Sequence, residues 1–161
     1  MNWEGFGTAR PVSDGELRQI IARIFGVDPT MIAIIGKLEE LLELHPDQVR
    51  AGVQRRALYG EFRLWVEIWI HDHHAQKNEM ETMQKLARAW DTALLVSDDS
   101  PAPSSWLRVW PDGRIEPVVI DIEAFDDRNE VVIVERKPAP ESDSSSAIQS
   151  SGPPSQRPDR V

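Results

Sequence analysis

A chain of 161 residues fits one domain with a sizeable core, and 27 Asp and Glu against 18 Lys and Arg give a net charge of −9. That balance disfavours a general nucleic-acid or anionic-membrane binder, because phosphate contacts need clustered Lys and Arg. The absence of cysteine removes disulfides, thiolate nucleophiles and Cys-ligated zinc from consideration.

The N-terminal MNWEGFGTAR lacks the apolar run of a signal peptide, and residues 1–12 show no period, so they read as a loosely structured arm. Ser13 with Glu16 forms a capping-box pattern. Leu17, Ile20, Ile21, Ile24 and Phe25 share one helical face and Gly26 supplies a stop, which predicts a helix over 14–25. Residues 29–44 fit two readings. Asp28-Pro29 can start a helix with Met31, Ile34, Ile35, Leu38, Leu41 and Leu42 on one face. The β-branched Met31–Ile35 ended by Gly36 reads instead as a short strand, the reading taken here.

Residues 48–57 alternate and turn at Tyr59-Gly60 into EFRLWVEIWIH, residues 61–71. There Phe62, Leu64, Val66, Ile68 and Ile70 alternate with Glu61, Arg63, Trp65, Glu67, Trp69 and His71, so the run reads as a strand with one apolar face. Asn78 and Glu81 cap a second amphipathic helix over 79–90, and 92–96 is a short buried strand. Pro111-Asp112-Gly113 joins Trp106–Trp110 to Arg114–Ile120 through a three-residue bulged turn. In that register Leu107 faces Pro117, Arg108 faces Glu116 and Val109 faces Ile115. Pro117 places its strand at an edge, or with a partner on one side only. Asp121–Glu130 reads as an acidic turn before a last strand, 131–134.

The expected fold is α+β: a mainly antiparallel sheet of five to six strands with two amphipathic helices, all within residues 13–137. Residues 138–161 are half Ser and Pro without apolar period, a composition that cannot offset its ordering entropy, so a disordered tail is expected. The longest apolar stretch falls far short of the roughly 20 residues of a membrane span, and the expected location is the cytoplasm.

Two constellations carry chemistry. If the two Trp-bearing strands show the same side of one sheet, Arg63, Trp65, Glu67, Trp69, Trp106, Arg108 and Trp110 share a face. Trp and Arg are the typical anchors of protein interfaces. The competing reading is that a helix or the N-terminal arm covers this face. The other constellation is His71, Asp72, His73 and His74, which resembles the HxHxDH motif of metallo-β-lactamase-fold hydrolases but lacks the Asp before the third His. That resemblance implies a small metal-dependent hydrolase as the alternative function. No Walker A loop, GxGxxG, GxSxG or HExxH occurs.

In general make-up the chain resembles the small, acidic, cysteine-free immunity proteins and adaptors of bacteria. The resemblance implies a non-enzymatic protein-binding module without cofactor, engaging a partner protein that the acidic charge favours being basic, with homodimerisation through the same face as a further option.

Overall fold

The computed structural model describes residues 2–37, 39–40, 47–70 and 78–136. The histidine cluster and residues 138–161 lie outside them. The fold is α+β, with a mixed eight-stranded sheet larger than the expected five to six strands. Its strands are β1 (Asn2–Thr8), β2 (Ile32–Ile35), β3 (Ala51–Ala57), β5 (Leu64–Ile70), β6 (Leu94–Ser97), β7 (Ser105–Val109), β8 (Ile115–Ile120) and β10 (Ile133–Arg136). They lie in the order β10-β8-β7-β6-β1-β5-β3-β2, every pair antiparallel except β2 with β3. A two-stranded parallel patch, β4 (Tyr59–Gly60) with β9 (Glu130–Val131), sits beside it.

The N-terminal segment read as a loose arm contains the strand that joins the two halves of the sheet. β1 pairs with β5 on one side and β6 on the other. The segment shows no period because Gly5 and Gly7 occupy one face of the strand and leave Trp3 and Phe6 as its apolar markers, three residues apart. An irregularity between Trp3 and Phe6 breaks the alternation further.

Helices α1 (Asp14–Phe25) and α2 (Glu79–Trp90) lie on one face of the sheet. Ser13 and Glu16 complete the capping box, Gly26 stops α1 at φ 68°, and Asn78 caps α2. Leu17 and Ile21 of α1 and Met83, Leu86 and Trp90 of α2 bury against Phe6, Val53, Leu64, Val66, Ile68 and Val109. Asp28 and Pro29 start only a single 3₁₀ turn, after which the chain extends into β2, so the strand reading holds for Ile32–Ile35. The 105–120 hairpin has the register expected of its bulged turn, with Gly113 at φ 90°.

Phe62 departs from the expected pattern. Alternation puts it with Leu64–Ile70, yet it packs in a second core on the other side of the sheet, with Leu58, Trp65 and Leu95. The reason is that regular extension begins only at Leu64. Gly60, at φ 84° and close against the Val131 carbonyl, turns the chain, and residues 61–63 reset the side-chain phase.

Arg10 ties three elements together. Its guanidinium donates to the Trp90 carbonyl at the end of α2 (2.6 and 3.0 Å) and pairs with Glu16 at 2.9 Å. The Arg10 side chain, with the Ser13 amide and hydroxyl, holds the Glu16 carboxyl down from 4.5 to about 2. A depressed carboxylate stabilises the fold above its ordinary value and loses that contribution as pH falls toward the folded one. The melting-temperature gap between the wild type and Glu16→Gln is therefore expected to be full at about pH 6 and to close by about pH 2. A gap that persists at the acid end would contradict this.

A second expectation concerns Gly5. A Cβ there would meet the Trp65 indole at 2.4 Å. Gly5→Ala should cost about 1–3 kcal/mol by overpacking, read as a lower denaturation midpoint. An unchanged midpoint would mean that the indole yields freely.

Candidate functional site: the tryptophan and arginine face

The sheet's second face is the one that carries the candidate residues. Cross-strand register builds it row by row. Glu116 lies opposite Arg108, Arg108 opposite Leu95, Leu95 opposite Gly7, Gly7 opposite Trp65 and Trp65 opposite Arg56. Alternation then puts Trp69 and Glu67 beside Trp65, and Trp106 and Trp110 beside Arg108, on this same side. The two Trp-bearing strands thus show one side of one sheet, with β6 and β1 between them.

This face is partly covered from within. α3 (Ile122–Arg128) lies over it, in the stretch read from sequence as an acidic turn. Asp121 caps α3 by accepting the Ala124 amide, and Asn129 ends it in the left-handed conformation. Phe125 packs edge-on against Trp65 (centroids 5.5 Å apart) and tilted against Trp106 (5.8 Å), while the two indoles meet at 6.0 Å. Trp65 is only 7 % exposed and belongs to the core. Its Nε1 donates to Glu67, and the Arg56 guanidinium caps the cluster 5.3 Å from the Trp65 ring.

The other candidates stay nearer solvent. Trp69, Trp106 and Trp110 are half-buried. Arg63 is exposed and lines a groove at the sheet edge together with Arg55 and Arg56, away from the Trp110 end. The arrangement therefore splits the seven residues. Trp65 and Trp106 join an internal aromatic cluster, Glu67 orients Trp65, and Trp110 and Arg108 form a separate group.

That second group is unusual in its polar accounting. The Arg108 guanidinium stacks 4.0 Å from the Trp110 ring centroid and lies 5.7 Å from that of Phe62. Arg114 approaches the same indole at 4.7 Å. Arg108 faces Glu116 in register, but Glu116 accepts from Trp110 Nε1 at 3.3 Å instead. Among the described residues the one carboxylate paired with Arg108 is Glu61, at 3.7 Å, too long for a hydrogen bond. The Arg108 side chain is 12 % exposed, and its buried Nε has no hydrogen-bond partner among the described residues. Burial pulls the guanidinium below the usual arginine range, with Glu61 opposing and Arg136 reinforcing the shift.

Sequence reasoning missed Phe125, Arg56 and Arg114. Asp121 followed by an apolar pair was a legible cap signal, but seven residues are too few to show a helical period among so many acids. The aspartate and glutamate clusters make no metal-binding group among the described residues, and the His71–His74 alternative falls outside them. No described helix is long and apolar enough to cross a membrane.

Trp65→Ala should destabilise the fold by about 3–5 kcal/mol, as expected for a buried Trp. Arg108→Met should instead melt at or above the wild-type temperature, because it removes a desolvated charge with an unmet donor. A loss above about 1 kcal/mol on Arg108→Met would show that its aromatic stacking carries stability. The chain matches no protein-family profile, no curated protein and no solved structure.

Proposed function

We propose that the protein is a non-enzymatic protein-binding module, of immunity, inhibitor or adaptor type, that engages a partner protein through the Trp110–Arg108 end of this face and the half-buried Trp69. The observation carrying this reading is Arg108. A guanidinium that is desolvated, stacked on Trp110 and short of acceptors is poor for stability. It suits an interface in which a partner supplies the missing acceptor and completes the burial of Trp110. Carboxylates at Glu61, Glu67 and Glu116 border the same surface, and the net charge of −9 speeds encounter with a basic partner.

The test is a pull-down from the native cell with mass spectrometry, run beside thermal melts. Trp110→Ala and Arg108→Met should each lose the captured partner while melting within a few degrees of wild type, about the effect of 1 kcal/mol in a domain of this size. Equal capture by both variants would sink the proposal. Light scattering on the purified protein separates self-association from binding to another chain.

A further inference from the structure

We infer that the groove between the outward sides of α1 and α2 docks an acidic, amphipathic helix of a partner protein. The two helices bury Leu17, Ile21, Met83, Leu86 and Trp90 in the core beneath them. Trp90 Nε1 also reaches the Glu16 carbonyl at 3.5 Å, holding the end of α2 to the start of α1. Outside this seam lies a groove of about 410 Å³, lined by Arg23 and Ile24 of α1 and by Lys85, Arg88 and Ala89 of α2. Residues 85, 88 and 89 stand at i, i+3 and i+4, so they share one stripe of α2. Arg23, Lys85 and Arg88 are exposed, whereas Ile24 and Ala89 are half-buried. The groove thus has a cationic border and a narrow apolar floor.

Charge selects the occupant. Three cations and no carboxylate line this groove, in a protein whose net charge is −9. Lys85 has Glu81 as its i,i+4 partner at 2.6 Å. Arg23 and Arg88 make neither an ion pair nor a side-chain hydrogen bond among the described residues. A place in the last helical turn suits each arginine singly. It does not account for Lys85, or for Arg88 standing i+3 from that like charge, which a helix disfavours. A free anion needs only the cations. The floor of Ile24 and the small Ala89 adds what a helix requires: apolar contact, and room for a second backbone to approach, as where one helix lies in the groove between two others. Leucines of the occupant would meet that floor, and glutamates bordering its apolar stripe would meet the arginines. The groove is on the helical side of the sheet, opposite the Trp110–Arg108 surface. Two such sites suit an adaptor that holds two partners at once.

Fluorescence anisotropy of a labelled, lactam-stapled helical peptide with Leu on one face and Glu along both borders tests this directly. It should bind the full chain, and Arg23→Gln or Arg88→Gln should each weaken it ~10-fold, as for the loss of one hydrogen bond to a charged group. Glutamine forms helix well and does not oppose the helix dipole, so both variants should melt within a few degrees of wild type. Arg63→Gln makes the same change in net charge and should leave binding within about twofold. Arg63 shares its own groove with Asp14 at the other end of α1, ~14 Å along the helix from Arg23 and beyond the screening length of about 8 Å. Ala89→Arg adds a cation but fills the floor, so it should weaken binding; tighter binding would reduce the site to charge alone. The inference is overturned by that result, by equal binding of a peptide with Ser for Leu or Lys for Glu, or by no binding to the full chain. Displacement by millimolar inorganic phosphate would assign the groove to free anions, and a dimer in light scattering that Arg88→Gln dissolves would assign it to a second copy; either result also overturns it. Arg108→Met should leave the peptide bound, which separates this site from the interface proposed above.

Discussion

The contact on which the architecture depends is the close approach of the Trp65 indole to the backbone of β1 at Gly5. The strand can sit at the centre of the sheet only because one of its faces carries no side chain there. On its other face Phe6 stacks on Trp90 of α2 at 5.9 Å, fastening the strand to the helical layer. One seven-residue strand thus joins the β10-β8-β7-β6 half to the β5-β3-β2 half and holds a core on each side. The Arg10 clamp extends the same connection, since it follows β1 directly and secures the end of α2 to the start of α1.

The two faces spend their aromatic residues differently. Under α1 and α2 the packing is apolar and almost wholly buried, as expected of a sheet face with two amphipathic helices on it. Among the described residues the opposite face has a single short helix, and its Phe125 packs on Trp65 and Trp106. The rest of the cover is made of arginine planes: Arg56 over Trp65 and Phe125, and Arg108 and Arg114 about Trp110. Guanidinium groups are the cation best suited to lie on indoles, being planar and weakly hydrated. They leave donors at the surface, however, and it is on these that the proposed recognition surface rests.

Charge is distributed in the same uneven way. Many acids sit on loops and on exposed helical positions such as Glu123, Asp126 and Asp127, whereas on the aromatic face Glu67 and Glu116 stand among Arg56, Arg108 and Arg114. The whole-chain value of −9 therefore describes the long-range field and says little about the groups that a docked partner would meet.

Helices α1 and α2, their caps and the bulged hairpin were all readable from the sequence, because each is set by local chemistry: a capping residue, a period, or a glycine at positive φ; residues 29–44 fitted both a helix and a strand. The alternation of Trp with charge likewise grouped Trp65 with Trp69, and Trp106 with Arg108 and Trp110, within their own strands; the strand order then put both groups on one side of one sheet. Three features needed the tertiary structure. β1 carries glycines where a strand pattern would show apolar residues, and only the indole lying across Gly5 explains them. Phe62 changes side because the turn at Gly60 resets the phase of the chain, which strict alternation cannot register. The division of the Trp face into a covered part and an open part depends on α3. Its seven residues are too short to announce a helix, and its effect comes from where Phe125 lands across a sheet assembled from distant segments. Local propensity fixed the elements, and long-range packing decided which of their side chains were buried and which were left near solvent.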